Sequence, residues 1–224
     1  MAKLLKTKDI SFRNFKTNAA TIDYSFDLRS FTIAKNDKNS KIVANINKNY
    51  AKQAEKLGYR GFSDEINSIH DPVSRYIYVK DNAGNLISNI RITLQTPDIN
   101  LPIERGIIKS TSNKKYIINE DGKIAEINTF YSINRSSDPI LYDTMVRELH
   151  NDEIDLVLVL NDPNNFTTNF LYKSLGFQPS KKYTEPIYFP TYGKKINNKF
   201  YPTCWNILEL ETRKMLPKYP SFLL

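Results

Sequence analysis

The chain has 224 residues, a net charge of +8, 40% hydrophobic residues and one cysteine, Cys204. That length and apolar content suit a globular domain with one sizeable core and exclude a disordered chain. One cysteine and two histidines, His70 and His150, exclude an internal disulfide framework and leave no spacing that fits a metal-ligand set. No run of about 18 apolar residues is present, so no membrane span is expected, and the lysines near Met1 are followed by no apolar stretch of the kind that marks a secretory leader. A soluble, cytoplasmic protein is expected. The positive charge is spread along the chain without a block or a nucleic-acid motif. It points to solubility or to an anionic cofactor or carrier, and a nucleic-acid partner is not expected.

In chain order, residues 25–34 alternate as a strand does, and 41–57 carry Val43, Ile46, Tyr50 and Leu57 at helical spacing, with Gly58 placed to stop the helix. Residues 59–72 read as a loop. Residues 75–94 read as a hairpin turning at Asp81-Asn82-Ala83-Gly84-Asn85, with Ile90, Ile92 and Leu94 on one face of its second strand and Asn89, Arg91 and Thr93 on the other. A loop is expected over 96–112. A strand follows over 124–133, whose alternation predicts Glu126, Asn128, Phe130 and Ser132 on one face.

Asp138 as cap and Pro139 in first position open a helix with a Leu141, Met145, Leu149 stripe. Residues 155–160 (DLVLVL) read as a strand buried on both faces. Asp162-Pro163 opens another helix, with Phe166, Phe170 and Leu171 as its apolar side and Leu175-Gly176 as its end. Two strands over 183–192 and 200–210, joined by a polar connection over 193–199, complete the order strand, helix, hairpin, strand, helix, strand, helix, strand, strand. This is an α/β fold, a mixed central sheet with helices on both faces. Residues 1–24 are expected to form an N-terminal extension and residues 25–224 the domain.

That order, with Asn165 to Phe177 (NFTTNFLYKSLGF), resembles the GNAT acyltransferases, where an Asn, a later Tyr and a Leu-Gly-Phe ending sit on the helix after the fifth strand. A narrower resemblance, to the branch of acyl-homoserine-lactone (autoinducer) synthases and long-chain N-acyl amino acid synthases, rests on three places. They are Asn89-Ile90-Arg91-Ile92, Leu101-Pro102-Ile103-Glu104 and Ala125-Glu126-Ile127-Asn128-Thr129. Thr129 stands where that branch has an Arg. The segment Asn134-Arg135-Ser136-Ser137-Asp138 lacks the glycines with which GNAT enzymes hold the pyrophosphate of coenzyme A.

The resemblance implies an N-acyltransferase that takes an acyl group from an acyl-carrier-protein or acyl-CoA thioester and gives it to a small amine such as an amino acid. A generic acetyl-CoA-dependent N-acetyltransferase and a non-catalytic GNAT-fold binding module are the alternatives. Implied catalytic residues are Glu126, as base, and Tyr172, as acid for the leaving thiolate. Arg135, Ser136 and Ser137 would contact the donor phosphate. The backbone of Phe130, Tyr131 and Ser132, with Asn165, would hold the pantetheine arm. Arg91 would anchor an acceptor carboxylate through its guanidinium fork. The glycine-free segment, and Asp138 at a helix start where an anion otherwise sits well, favour a carrier-protein donor, and an acidic carrier suits a basic chain.

Overall fold

The computed structural model describes residues 27–32, 40–61, 69–81, 83–133 and 137–215. The expected extension over 1–24 lies outside them. Ten strands join in one sheet: β1 (Asp27–Thr32), β2 (Tyr59–Arg60), β3 (Ser74–Lys80), β4 (Leu86–Leu94), β5 (Ile107–Ile108), β6 (Ile124–Ser132), β7 (Leu156–Asn161), β8 (Gln178–Pro179), β9 (Ile187–Ile196) and β10 (Lys199–Glu211). The path runs β1-β3-β4-β6-β7-β10-β9-β2, with β5 on β9 and β8 on β10. Only the β6–β7 pair is parallel; the other named pairs are antiparallel. A parallel pair needs a crossover, and α2 (Asp138–Asn151) supplies it. The remaining α-helices among the described residues are α1 (Ser40–Lys56) and α3 (Phe166–Ser174). None of the described helices is long and apolar enough to cross a membrane.

Strand alternation divides the core. Ile77, Val79, Ile90, Ile92, Ala125, Ile127, Val157 and Val159 pack with Leu141, Met145 and Leu149 of α2 and with Phe177 beyond α3. The other face carries Val43 and Ile46 of α1 over Tyr76 and Tyr78, and a third cluster of Tyr59, Leu158, Ile187 and Trp205. Helices therefore cover both faces, as expected. Arg75 of β3 bridges to Glu148 of α2 and to Asp152 at its C-terminal cap, the latter at 2.7 Å, which ties the crossover helix to the sheet.

Several local expectations are corrected. Tyr59 and Arg60 leave the expected loop to pair with Lys194 and Gly193 of β9. The loop over 96–112 contains a 3-10 turn, Pro102–Arg105, and the short β5. The connection over 193–199 shrinks to Asn197-Asn198, because both asparagines adopt positive φ (48° and 62°), the backbone a two-residue hairpin turn requires. Asp138 is the first residue of α2 rather than its cap. Ser137 takes the cap position without a side-chain cap bond, and the Asp138 carboxylate accepts from Ser132 Oγ. On α3, Phe166 and Phe170 are 82% and 67% exposed, so the expected apolar side is not the buried one. Tyr172 and Leu175 pack inward instead.

The end of α3 follows from local physics. Gly176 has φ +95°, its N–H bonds the Lys173 carbonyl, and the Phe177 N–H bonds the Tyr172 carbonyl. This is a Schellman cap, completed by the edge-on contact of the Phe177 and Tyr172 rings at 5.6 Å. The Leu-Gly-Phe ending thus fixes where Tyr172 sits. A Cβ at position 176 would meet only Leu210 Cδ1, at 3.7 Å, so Gly176→Ala carries only the backbone cost. It is expected to destabilise by about 1–2 kcal/mol, read as a Tm lowered by roughly 2–8 °C.

Candidate active site

β6 and β7 pair only from Ile124↔Leu156 to Ile127↔Val159. Beyond that point β6 continues to Ser132 and β7 to Asn161 without pairing, so the two central strands part at mid-sheet. On its other edge β6 carries one extra residue against β4. Asn89 pairs with Tyr131 and Arg91 with Asn128, so Thr129 and Phe130 together face Ile90. Thr129 takes φ +49°, rare for a β-branched residue. This bulge overturns the expected alternation: Phe130 leaves the face of Glu126 and packs with Ile127 toward α2.

Glu126, 1% exposed, stands at the last paired turns of β6. One carboxylate oxygen accepts from the Ile103 N–H at 2.8 Å, and the Asn128 amide also bonds the group. Burial pushes its pKa up to about 7, against the pull of the Ile103 bond and of the Arg91 charge; Glu104 nearby adds to the rise. The Leu101-Pro102-Ile103-Glu104 stretch has a physical role here. The Glu104 carboxylate takes the N–H groups of Leu101 (2.7 Å) and Ile118 (2.9 Å), pinning the turn that presents the Ile103 N–H to Glu126.

Arg91 is 0% exposed; its Nε donates to Ser74 Oγ at 2.9 Å, an NH2 group lies 3.5 Å from Asp71 Oδ1, and the guanidinium sits over the Tyr76 ring. The fork expected to grip an acceptor carboxylate is therefore engaged within the fold. Its charge acts on Glu126.

Tyr172 stands on α3. Burial raises its phenol, and the charges of Tyr50 and Glu126 raise it further. Tyr50 of α1 bonds Tyr192 of β9. Beside them Tyr59 donates to Asp162, which also holds Lys194 Nζ at 2.8 Å. Asn165 caps α3, accepting from the Thr168 N–H at 3.3 Å, and bonds the Tyr59 hydroxyl.

Between α2 and α3 a shallow apolar groove, partly open to solvent, is lined by Ile127, Phe130, Leu141, Met145, Tyr172 and Leu175 among others. Ile127 and Phe130 of its lining belong to β6. Of the residues expected at the donor phosphate, Arg135 and Ser136 lie outside the described residues. Ser137 is buried with its hydroxyl on Ser88 Oγ at 2.9 Å, so a side-chain contact to phosphate would require it to leave Ser88. Tyr131 and Ser132 form the end of β6, opposite Asn89 and Ser88.

The site thus unites Glu126, Arg91 and Tyr172, and adds residues that were not anticipated: Asn89, Asn128, Ser74, Asp71 and Tyr50. The signal for some of them was present in the polar run Asn89, Arg91, Thr93 along one face of a central strand, since polar side chains buried in a sheet need a reason.

No protein-family model matches the chain, and no curated protein matches it significantly. Solved structures do. FeeM, an N-acyl amino acid synthase from uncultured soil microbes, is 14% identical, with 84% of this chain and 92% of that chain covered and a TM-score of 0.52. GCN5 from Tetrahymena is 14% identical, with 85% and 99% covered and a TM-score of 0.51. At that identity the likeness is one of fold.

Proposed function

On the GNAT-type acyltransferase fold of this chain, we propose that the protein is an N-acyltransferase moving an acyl group from a phosphopantetheine thioester to an amine. The observation that carries the reading is Glu126: a carboxylate buried at the parting of β6 and β7, with a pKa near 7, electrostatically linked to Tyr172. A general base poised near neutral pH is what deprotonating an ammonium requires. Glu126 takes one proton from the ammonium and passes it to solvent; the free amine attacks the thioester carbonyl carbon; Glu126 takes the second proton from the attacking nitrogen as the C–S bond breaks and the electron pair leaves on sulfur.

Tyr172 is the group for the leaving thiolate. Its pKa is raised above that of a free phenol, so full proton transfer to a thiolate is uphill. Its contribution is a hydrogen bond to the developing charge, while the proton on Glu126 balances the released thiol. The groove between α2 and α3 is apolar enough for the pantetheine arm or acyl chain. Asn165 would hold the arm through the amide N–H that its cap bond and its bond to Tyr59 leave over. Phe130 to Ser132 would pair with the arm through their backbone.

A carrier-protein donor fits better than coenzyme A. Asp138 puts a carboxylate in the first turn of α2, where it opposes the two charges of a pyrophosphate more than a single phosphodiester. The FeeM-like fold makes an amino acid a natural first acceptor to test. With matched acyl-carrier-protein and acyl-CoA donors, kcat/KM should favour the carrier. Tyr172→Phe should lower kcat by about 10- to 100-fold at unchanged Tm, because the ring contact with Phe177 is kept. An unchanged kcat in Tyr172→Phe would remove Tyr172 from the chemistry.

A further inference from the structure

Three features at the bulge each cost stability. Thr129, β-branched, is held at φ +49°. Its Oγ1 is buried without a partner. Asn89, 0% exposed, donates its Nδ2 to the Thr129 carbonyl at 2.7 Å, and this fixes the amide orientation so that Oδ1 is the atom left buried and unpaired. A residue held in that backbone region is strained, and each buried polar atom without a partner has lost its hydration uncompensated. A leucine at 89 and a glycine at 129 would avoid most of this.

The bond that these costs maintain sets the direction of one peptide. In a trans peptide the C=O of one residue and the N–H of the next point opposite ways. Asn89 lies on β4, on the face of Arg91 and Thr93, opposite the face where Ile90 and Ile92 meet α2. With the Thr129 carbonyl drawn to Asn89, the Phe130 N–H is turned away from β4 and from the α1 side. That direction is the parting of β6 from β7 and the groove that Phe130 and Tyr172 line.

We propose that Asn89 is a positioning residue for acyl transfer: by holding the Thr129 carbonyl it aims the Phe130 N–H at the thioester oxygen. The inference rests on the acyltransferase reading above. As the amine nitrogen bonds to the carbonyl carbon, the C=O electron pair moves onto oxygen, and the Phe130 N–H receives that charge. When the C–S bond breaks, the pair returns and the contact relaxes. A donor already oriented at that oxygen acts without reorganisation.

The test measures kcat, donor KM and Tm for the wild type, Asn89→Leu and Asn89→Ser. Leucine fills the site without an amide, and the serine hydroxyl is too short to reach the Thr129 carbonyl. Both variants are expected to lose about 100-fold in kcat, with donor KM within about threefold and Tm unchanged or raised in Asn89→Leu. The pH at which the rate rises should not move, since Glu126 is untouched. An unchanged kcat in a folded variant overturns the proposal. So does a loss of kcat that tracks a fall in Tm in both variants, which would mark Asn89 as structural. If the wild type transfers no acyl group from any donor, the underlying reading fails and this inference with it. A wild type that is active beside fully active variants sinks the inference alone.

Discussion

Glu126→Gln is expected to lower kcat by about 100- to 10,000-fold while making the protein more stable at alkaline pH. Glutamine keeps the shape and can still accept the Ile103 N–H through its carbonyl oxygen, but it takes no proton from an ammonium. In the wild type the active form of Glu126 is ionised, so kcat/KM should rise with pH and level off above about 7. That rising limb should be missing from the residual activity of the variant.

The stability effect has the opposite sign. The folded-state pKa, about 7, lies above the ordinary 4.5, so between these values the folded protein holds the proton more tightly than the unfolded chain. Wild-type stability from this group is fully present below about pH 4.5 and is lost as pH rises through about 7. The loss is on the order of 3 kcal/mol. The variant has no such loss, so its Tm advantage should widen by roughly 6–12 °C between pH 4.5 and 8.5. A constant difference in Tm across that range would mean that Glu126 does not titrate near neutrality.

Arg91→Leu is expected to be the most destabilising of the site substitutions and to move the pH limb upward. Removing one member of a fully buried ion pair costs about 3–5 kcal/mol. Here Asp71 is partly exposed and keeps its Tyr76 bond, so a loss at the lower end, about 3 kcal/mol, is expected as Asp71 and Ser74 Oγ lose the guanidinium. The Arg91 charge also lowers the pKa of Glu126, so its loss should carry the rise of kcat/KM beyond pH 7. Urea denaturation and a pH–rate profile read the two effects separately. Arg91→Lys, which keeps the charge without the fork, should restore most of the limb and only part of the stability. If Arg91 instead binds an acceptor carboxylate directly, its removal would raise the acceptor KM and leave the limb in place.

These two residues show what the sequence could convey. Glu126 and Arg91 each fall within alternating strands, so their sheet faces were legible from period alone. Their burial against one another was not, because it depends on the β4–β6 register. The order of elements along the chain, the helix that begins at Asp138-Pro139 and the stop at Gly176 followed from patterning, turn chemistry and resemblance, whereas the strand order and the parallel β6–β7 crossover are visible only in the fold. The bulge did not. Thr129 carries no local signal for positive φ, and an alternating reading runs straight through it, placing Phe130 on the wrong face.

The apolar side of α3 misled for a related reason. Phe166 and Phe170 share a helical stripe, yet the inward direction is set by the Schellman contact between Tyr172 and Phe177 and by packing on β10, through Gly176 beside Leu210. Asn89 was read as a polar residue of the Arg91 face. Its use, a side-chain bond to a bulged carbonyl, exists only once the extra residue in β6 is placed.

Mass analysis of products reads acyl transfer to an amine, and the part of Glu126 as base, in one experiment. Wild type and Glu126→Gln are each incubated with a panel of acyl-carrier-protein and acyl-CoA thioesters and pooled amino acids and amines at pH 8. The expected result is an N-acylated product from the wild type, with free carrier thiol in equal amount, and a loss of about 100-fold or more in the variant. No N-acylated product from the wild type with any donor, or equal product from both proteins, would contradict it.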